Sequence, residues 1–143
     1  MKYRDAASFG KRQEYSIISE LLKRGFDVYT TLVDDRGIDC VIRLDDRRYL
    51  DIQIKARSKD VKQWNSFAGM SFNVRDNFYF IFYTERDNNF WVIPSKDVKK
   101  LGVENKSGLN TGKISLNLPK TVGRKRALQF QKYKNEKGFA LLR

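Results

Sequence analysis

The spacing of apolar residues changes several times along this chain, and each change marks an element. Between about Ser8 and Arg24, Ile17, Ile18, Leu21 and Leu22 recur at helical spacing, with Ser8 as the expected N-cap and Gly25 as the C-terminal stop. At about 100° per residue Glu14 falls near the centre of that stripe, and Glu20 falls well off it. A carboxylate turned inward is costly without a partner, so Glu14 reads as a metal ligand or a member of a buried salt bridge. The alternative is a first-turn glutamate that favours the helix dipole.

The period then shortens to two. Phe26-Asp-Val-Tyr-Thr-Thr-Leu32 is rich in β-branched and aromatic residues, and the polar turn Val33-Asp-Asp-Arg-Gly37 follows. Ile38, Cys40, Ile42 and Leu44 alternate with Asp39, Val41 and Arg43; Leu50, Ile52 and Ile54 alternate with Asp51, Gln53 and Lys55. That is the pattern of half-buried strands joined at Asp45-Asp-Arg-Arg48. If Leu44 pairs with Arg48, antiparallel counting sets Asp39 opposite Gln53, on the same face. A slip of one residue would put Asp39 among Leu50, Ile52 and Ile54, so the hydrophobic pattern itself favours the first register.

Farther on the pattern is less regular. Arg57 to Ser66 is a polar, basic connector, and Phe67 to Val74 reads as either strand or loop. Phe78 to Tyr83 is continuously apolar, as in a central strand covered on both sides, and Phe90 to Pro94 is a second such strand, paired with it as a hairpin over Thr84 to Asn89. Ser95 is the expected cap of a short helix, Lys96 to Leu101, which stops at Gly102. After a polar loop from Glu104 to Gly112, Ile114, Leu116 and Leu118 mark a one-sided strand, a basic helix is expected from about Val122 to Lys134, and the chain ends in apolar Phe139 to Leu142.

Composition narrows the chemistry. With 143 residues, 41% of them apolar, one domain over 1–143 is expected. The net charge of +12 points to an anionic polymer as partner. Histidine is absent, which removes His-bearing zinc sites, Ser-His-Asp triads and any nuclease that needs an imidazole base. Cys40 is the single cysteine and reads as a small core residue. The N-terminus does not resemble a signal peptide, and the Phe78–Tyr83 run is too short to span a bilayer, so a soluble cytoplasmic protein with no membrane partner is the expectation.

Asp34, Asp35, Asp45 and Asp46 fall in expected turns, where aspartate is common. Asp39 and Asp51 fall in expected strands, where it is disfavoured without compensation. Asp39, Gln53 and Lys55, with Asp51 beside them, form a cluster able to hold a divalent metal next to an ammonium. A metal activates water and steadies phosphate charge, and a nearby cation assists both, which is the chemistry of phosphodiester hydrolysis. Lys55 as a solvent-facing strand lysine is the alternative.

These residues, from Gly10 to about Ser58, resemble the PD-(D/E)XK nuclease superfamily, and more narrowly its small members similar to archaeal Holliday-junction resolvases. The resemblance implies a single α/β domain with a mixed central β-sheet flanked by helices, a restriction-endonuclease-like core. It also implies a Mg²⁺-dependent DNA endonuclease in which Glu14 matches the helix glutamate, Asp39 the strand aspartate, and Gln53-Ile-Lys55 the Glu-x-Lys pair. Gln53 departs from that pattern: an amide oxygen ligates Mg²⁺ more weakly than a carboxylate, which leaves Glu14, Asp39 and Asp51 to supply the charge. In this reading Lys55 orients the water or neutralises charge on the phosphate.

For DNA contact, Arg57, Lys59 and Lys62 follow the site, and residues 119–143 hold Lys120, Arg124, Lys125, Arg126, Lys132, Lys134, Lys137 and Arg143 against the single acid Glu136. RNA remains open as a substrate. Trp64, Tyr79 and Tyr133 are base-stacking candidates, with core packing the favoured alternative. Cutting two strands with one small site calls for a homodimer or higher homo-oligomer. Two other readings stand beside the nuclease: a nucleic-acid-binding protein of the same fold that has lost cleavage, and a basic interaction subunit of a larger assembly.

Overall fold

The structure, a computed structural model, describes residues 3–33, 36–121 and 123–143, with side chains described from Asp5 onward. In chain order the elements are α1 (Tyr3–Lys23), β1 (Asp27–Thr30), β2 (Cys40–Arg43), β3 (Tyr49–Arg57), β4 (Ser66–Met70), β5 (Phe78–Thr84), β6 (Asn89–Pro94), α2 (Ser95–Leu101), β7 (Val103–Glu104), β8 (Ile114–Asn117), α3 (Lys125–Phe130) and α4 (Asn135–Ala140). They build an α/β fold around a five-stranded sheet of order β1-β2-β3-β5-β6. The sheet is mixed: β3 and β5 are parallel, and its other neighbours are antiparallel. A smaller sheet, β4-β8-β7, lies apart from it in the pairing.

Helix α1 starts before Ser8, which lies inside it instead of capping it. Asp5 in the first turn suits the helix dipole, and Ala6 and Ala7 are strong helix formers, so the segment ahead of Ser8 has no reason to stay extended. Its end is as expected. Gly25 adopts a left-handed φ of +86°, its N–H donates to Leu22 C=O (3.0 Å), and the Phe26 N–H donates to Leu21 C=O (3.1 Å). These two bonds satisfy carbonyls that the helix leaves open, and Phe26 packs back into the same cluster as Leu21.

Two hydrophobic clusters occupy the two faces of the large sheet. On one, Ile17 and Leu21 of α1 meet Cys40, Ile42, Ile52, Ile54, Ile81 and Val92, closed by Phe139 and Leu142 from the chain end. On the other, Phe78, Phe80 and Phe82 run along β5 and meet Phe67, Trp91, Leu116, Leu118, Phe130 and Tyr133. Period-two alternation in β5 sends its phenylalanines to one side and Ile81 to the other, as a central strand requires. Each fully buried side chain of this size contributes about 1.5–3 kcal/mol.

The β2–β3 register is the expected one. Cys40 pairs with Ile52 and Ile42 with Leu50, while the Leu44 N–H reaches Arg48 C=O at 2.9 Å. Asp39, however, lies just before β2, not within it. Asp45 is a turn residue whose Oδ1 accepts from the Arg47 and Arg48 N–H groups at 2.8 Å each. Asp34 and Asp35 lie outside the described residues.

Ser95 opens α2, with Pro94 at the cap position, and its hydroxyl is exchanged with the Arg75 backbone instead, accepting from N–H (3.2 Å) and donating to C=O (2.9 Å). The basic helix is shorter than its periodicity suggests. Lys125–Phe130 is followed by a 3₁₀ turn, Gln131–Tyr133, and the chain breaks direction at Asn135 (φ +50°). Burial of Phe130 and Tyr133 in one cluster and Phe139 in the other forces that break. Val122 lies outside the described residues.

Candidate active site

Strand β3 outruns β2. Pairing with β2 covers Tyr49 to Ile52, while pairing with β5 continues to Arg57, so among the described residues no strand pairs with the later part of β3 on its β2 side. Asp39 fills part of that gap. Its N–H donates to Ile52 C=O (2.8 Å), and its Oδ2 accepts from the Ile54 N–H (2.6 Å) in place of a strand carbonyl. The Thr31 hydroxyl donates to Ile38 C=O at 2.9 Å, which ties the residue before Asp39 to the end of β1.

Glu14 reaches the same place from α1. Its carboxylate lines one small cavity with Asp39 and takes the Lys11 ammonium at 2.8 Å. Two carboxyl groups in contact need a proton or a cation between them. Burial pushes the Glu14 carboxyl up, but the contact with Asp39 and the Lys11 ammonium outweigh it, and its pKa lies below the ordinary glutamate value. Lys11, Glu14, Tyr15, Ile18, Thr30, Thr31, Leu32 and Asp39 line a cavity of about 80 Å³. Cys40 lies just behind it, buried, with its thiol pushed up to about 12 by burial first and by the charges of Asp39 and Glu14 next.

Gln53 and Lys55 approach from the other side. Gln53 pairs with Phe80 and Lys55 with Phe82, so both share the aromatic face of the sheet, whereas Ile54 turns to the face that α1 covers. The Gln53 amide lies over Gly37: a Cβ there would come within 3.1 Å of Nε2, and the φ of +70° also favours glycine. Lys55 is half-buried and forms no ion pair among the described residues. The polar groups therefore gather around the free edge of β3, not on a single face. Asp39 is the hinge between the two sides, because it lies beyond the end of β2.

Asp51 stands apart. It is buried and accepts from Arg75 Nη2 at 2.9 Å, with the Arg75 guanidinium 4.7 Å from the Phe78 ring centre. Among the described residues no group of three or more His, Cys, Asp or Glu forms a metal cage. The Glu14–Asp39 pair, with an amide nearby, is a hard-oxygen donor set. It suits an ion such as Mg²⁺, which keeps most of its water and takes one or two carboxylates.

The expected DNA contacts fall into two groups. Arg57 donates to Gln63 C=O (3.3 Å) while its Nε is buried with no partner among the described residues; Lys59 and Lys62 are exposed in the following loop, which is pinned by Glu85 and Arg86 of the β5–β6 turn. Arg124 and Lys125 are exposed, and Arg126 donates to Asn117 C=O and covers the Phe130 ring. Since Phe130 packs on Trp91, this second group lies on the β6 side of the sheet, away from Glu14 and Asp39. Trp64 and Tyr133 are core residues: Arg86 covers Trp64, and the Tyr133 hydroxyl donates to Asp97 at 2.7 Å. Tyr79 is half-buried and packs against the aliphatic cluster.

Lys11 is the residue that sequence reasoning missed; its i,i+3 spacing to Glu14 on one helix was the available signal. A larger hollow, about 450 Å³, lies at the other end of β2 and is lined by Arg43, Asp45, Asp46 and Arg48. Four of its charges are paired with one another, Arg48 with Asp45 and Arg43 with Asp46.

An α/β fold with a mixed sheet, and a pair of acids at the free edge of its third strand, is the class these observations define. The fold is shared with a solved structure, the bacterial homing endonuclease I-Ssp6803I. The likeness covers 93% of this chain and 90% of that one, with a TM-score of 0.63 and 22% sequence identity. No protein-family model matches the sequence, and no curated protein matches it either. No helix among the described residues is long and apolar enough to cross a membrane.

Proposed function

We propose that the protein is a divalent-metal-dependent DNA endonuclease of the PD-(D/E)XK type, with Mg²⁺ as the expected ion. The observation that carries this reading is the placing of Glu14 and Asp39 on one small cavity beside the open edge of β3, the strand that also presents Gln53 and Lys55. The fold shared with a homing endonuclease supports it, as does the net charge of +12. Glu14 and Asp39 would hold the ion, with Gln53 as a neutral supporting ligand. Asp51 is a weaker candidate than the sequence suggests, because Arg75 already neutralises it.

A bound divalent ion supplies an acidified water and draws off charge from the phosphate. Lys55, as the catalytic cation, stabilises the negative charge that builds on the phosphate oxygens. Arg57, Lys59 and Lys62 hold phosphates beside the cut, and Arg124 and Lys125 extend the basic surface on the β6 side. Two such sites in a homodimer would sever both strands of a duplex; sedimentation of the DNA complex as a 1:1 monomer would remove that part of the proposal.

The test is digestion of junction, duplex and single-stranded DNA with Mg²⁺ or EDTA, comparing the parent with Lys55→Ala. Mg²⁺-dependent cutting by the parent alone is expected. A second reading, DNA binding without cleavage, is favoured by one observation: Gln53 brings no charge to the site and rests against Gly37. Salt-sensitive binding without cutting under any divalent ion would establish that reading instead.

A further inference from the structure

Lys11 lies one turn of α1 before Glu14, and its ammonium is 2.8 Å from Glu14 Oε2. It lines the same small cavity as Glu14 and Asp39. The Lys11 ammonium is thus paired with one acid and shares a cavity wall with the other. Its side chain is 63% exposed, whereas that of Glu14 is 18% exposed. The lysine therefore comes to the acids from solvent and can leave without disturbing the core.

We propose that Lys11 is a built-in counter-ion that occupies the charge position of the divalent cation and is displaced when the cation binds. This rests on the metal-centre reading above and adds a regulator to it. Two adjacent carboxylates without a cation would repel each other or take up a proton. With Lys11 in place the chain folds with that charge partly offset, one ammonium against two carboxylates, and an arriving ion has to break the Lys11–Glu14 pair. Lys11 thus raises the ion concentration at which the site fills. It acts as a positioning residue, through Glu14, and not on substrate.

An ordinary surface helix pair would have no such effect, and ion binding distinguishes the two. Isothermal titration with Mn²⁺ and thermal unfolding across a Mn²⁺ series, both without DNA, would compare the parent with Lys11→Met, Lys11→Arg and Glu14→Gln. Lys11→Met keeps the aliphatic stem but removes the charge. It should half-saturate at roughly two- to fivefold lower Mn²⁺, the range that a solvent-exposed ion pair controls. Its unfolding midpoint without ion should fall below that of the parent and recover as ion is added. Lys11→Arg should behave as the parent does, and Glu14→Gln should lose most of the ion response.

An ion-responsive parent with unchanged or weaker binding in Lys11→Met overturns the role of Lys11 alone. No Mn²⁺ response in either the parent or Lys11→Met removes the metal-centre reading and this inference together.

Discussion

Around Asp51 and Ile52, strand β3 is paired on both edges; from Gln53 to Arg57 the one strand paired with it among the described residues is β5. In the doubly paired part the acid is neutralised within the fold, since Asp51 is buried and held by Arg75. At the open part Asp39 leaves the ladder and meets Glu14, and Lys55 has no ion-pair partner among the described residues. Asp39 and Asp51 come from the same acidic stretch and are separated by one hairpin. What differs is the end of β2: where the strand edge closes, Asp51 is held by an arginine within the fold, and where it stops, Asp39 takes the place of a strand residue and lines a cavity with a second acid.

Substitutions can break that contrast. The largest expected effect is on cleavage: Lys55→Ala or Asp39→Asn should lower the Mg²⁺-dependent rate by about 10²–10³-fold, the scale for losing one group that stabilises transition-state charge. Asp39→Asn keeps an acceptor for the Ile54 N–H, so its unfolding midpoint should stay near that of the parent. Asp51→Ala should do the reverse. It unpairs Arg75, but that side chain is 40% exposed and can hydrate, so about 1–2 kcal/mol is expected in a denaturant titration, below the cost in a fully buried pair. Loss of cutting by Asp51→Ala at unchanged stability would place Asp51 in the chemical half after all.

Gln53→Glu sharpens the comparison by adding charge at the open edge. It should tighten Mn²⁺ binding by roughly tenfold in a calorimetric titration, because affinity at oxygen sites follows the number of charged ligands. The smallest effect concerns acid stability. The Glu14 pKa is lowered in the folded chain, so its contribution is complete above the ordinary value of 4.5 and is lost as pH falls through the lowered pKa. Glu14→Gln should therefore flatten the stability curve below that pH, read from urea midpoints.

Local periodicity carried much of this architecture. The alternation of Ile38–Leu44 and Leu50–Ile54 was enough to set Leu44 against Arg48, and Gly25 was enough to end α1. It could not say which face of β3 α1 would cover, because that depends on where a distant hydrophobic stripe packs. Periodicity set Asp39 opposite Gln53 on one face, but it left open that Glu14 comes from the opposite side of the sheet. The Arg75 partner of Asp51 is 24 residues away, and the break at Asn135 depends on two different clusters, so neither leaves a local signal. The smaller sheet was hidden for a similar reason: β4 and β8 pair across more than forty intervening residues, and β7 spans only Val103–Glu104.

The central claim is that Glu14 and Asp39 form an ion site at the open edge of β3. Anomalous diffraction from crystals soaked in Mn²⁺ addresses it directly. The account predicts a peak between the two carboxyl groups, with Lys11 moved away from Glu14. A fully soaked crystal with no peak there, or with the ion held elsewhere and the Lys11–Glu14 pair intact, would contradict it.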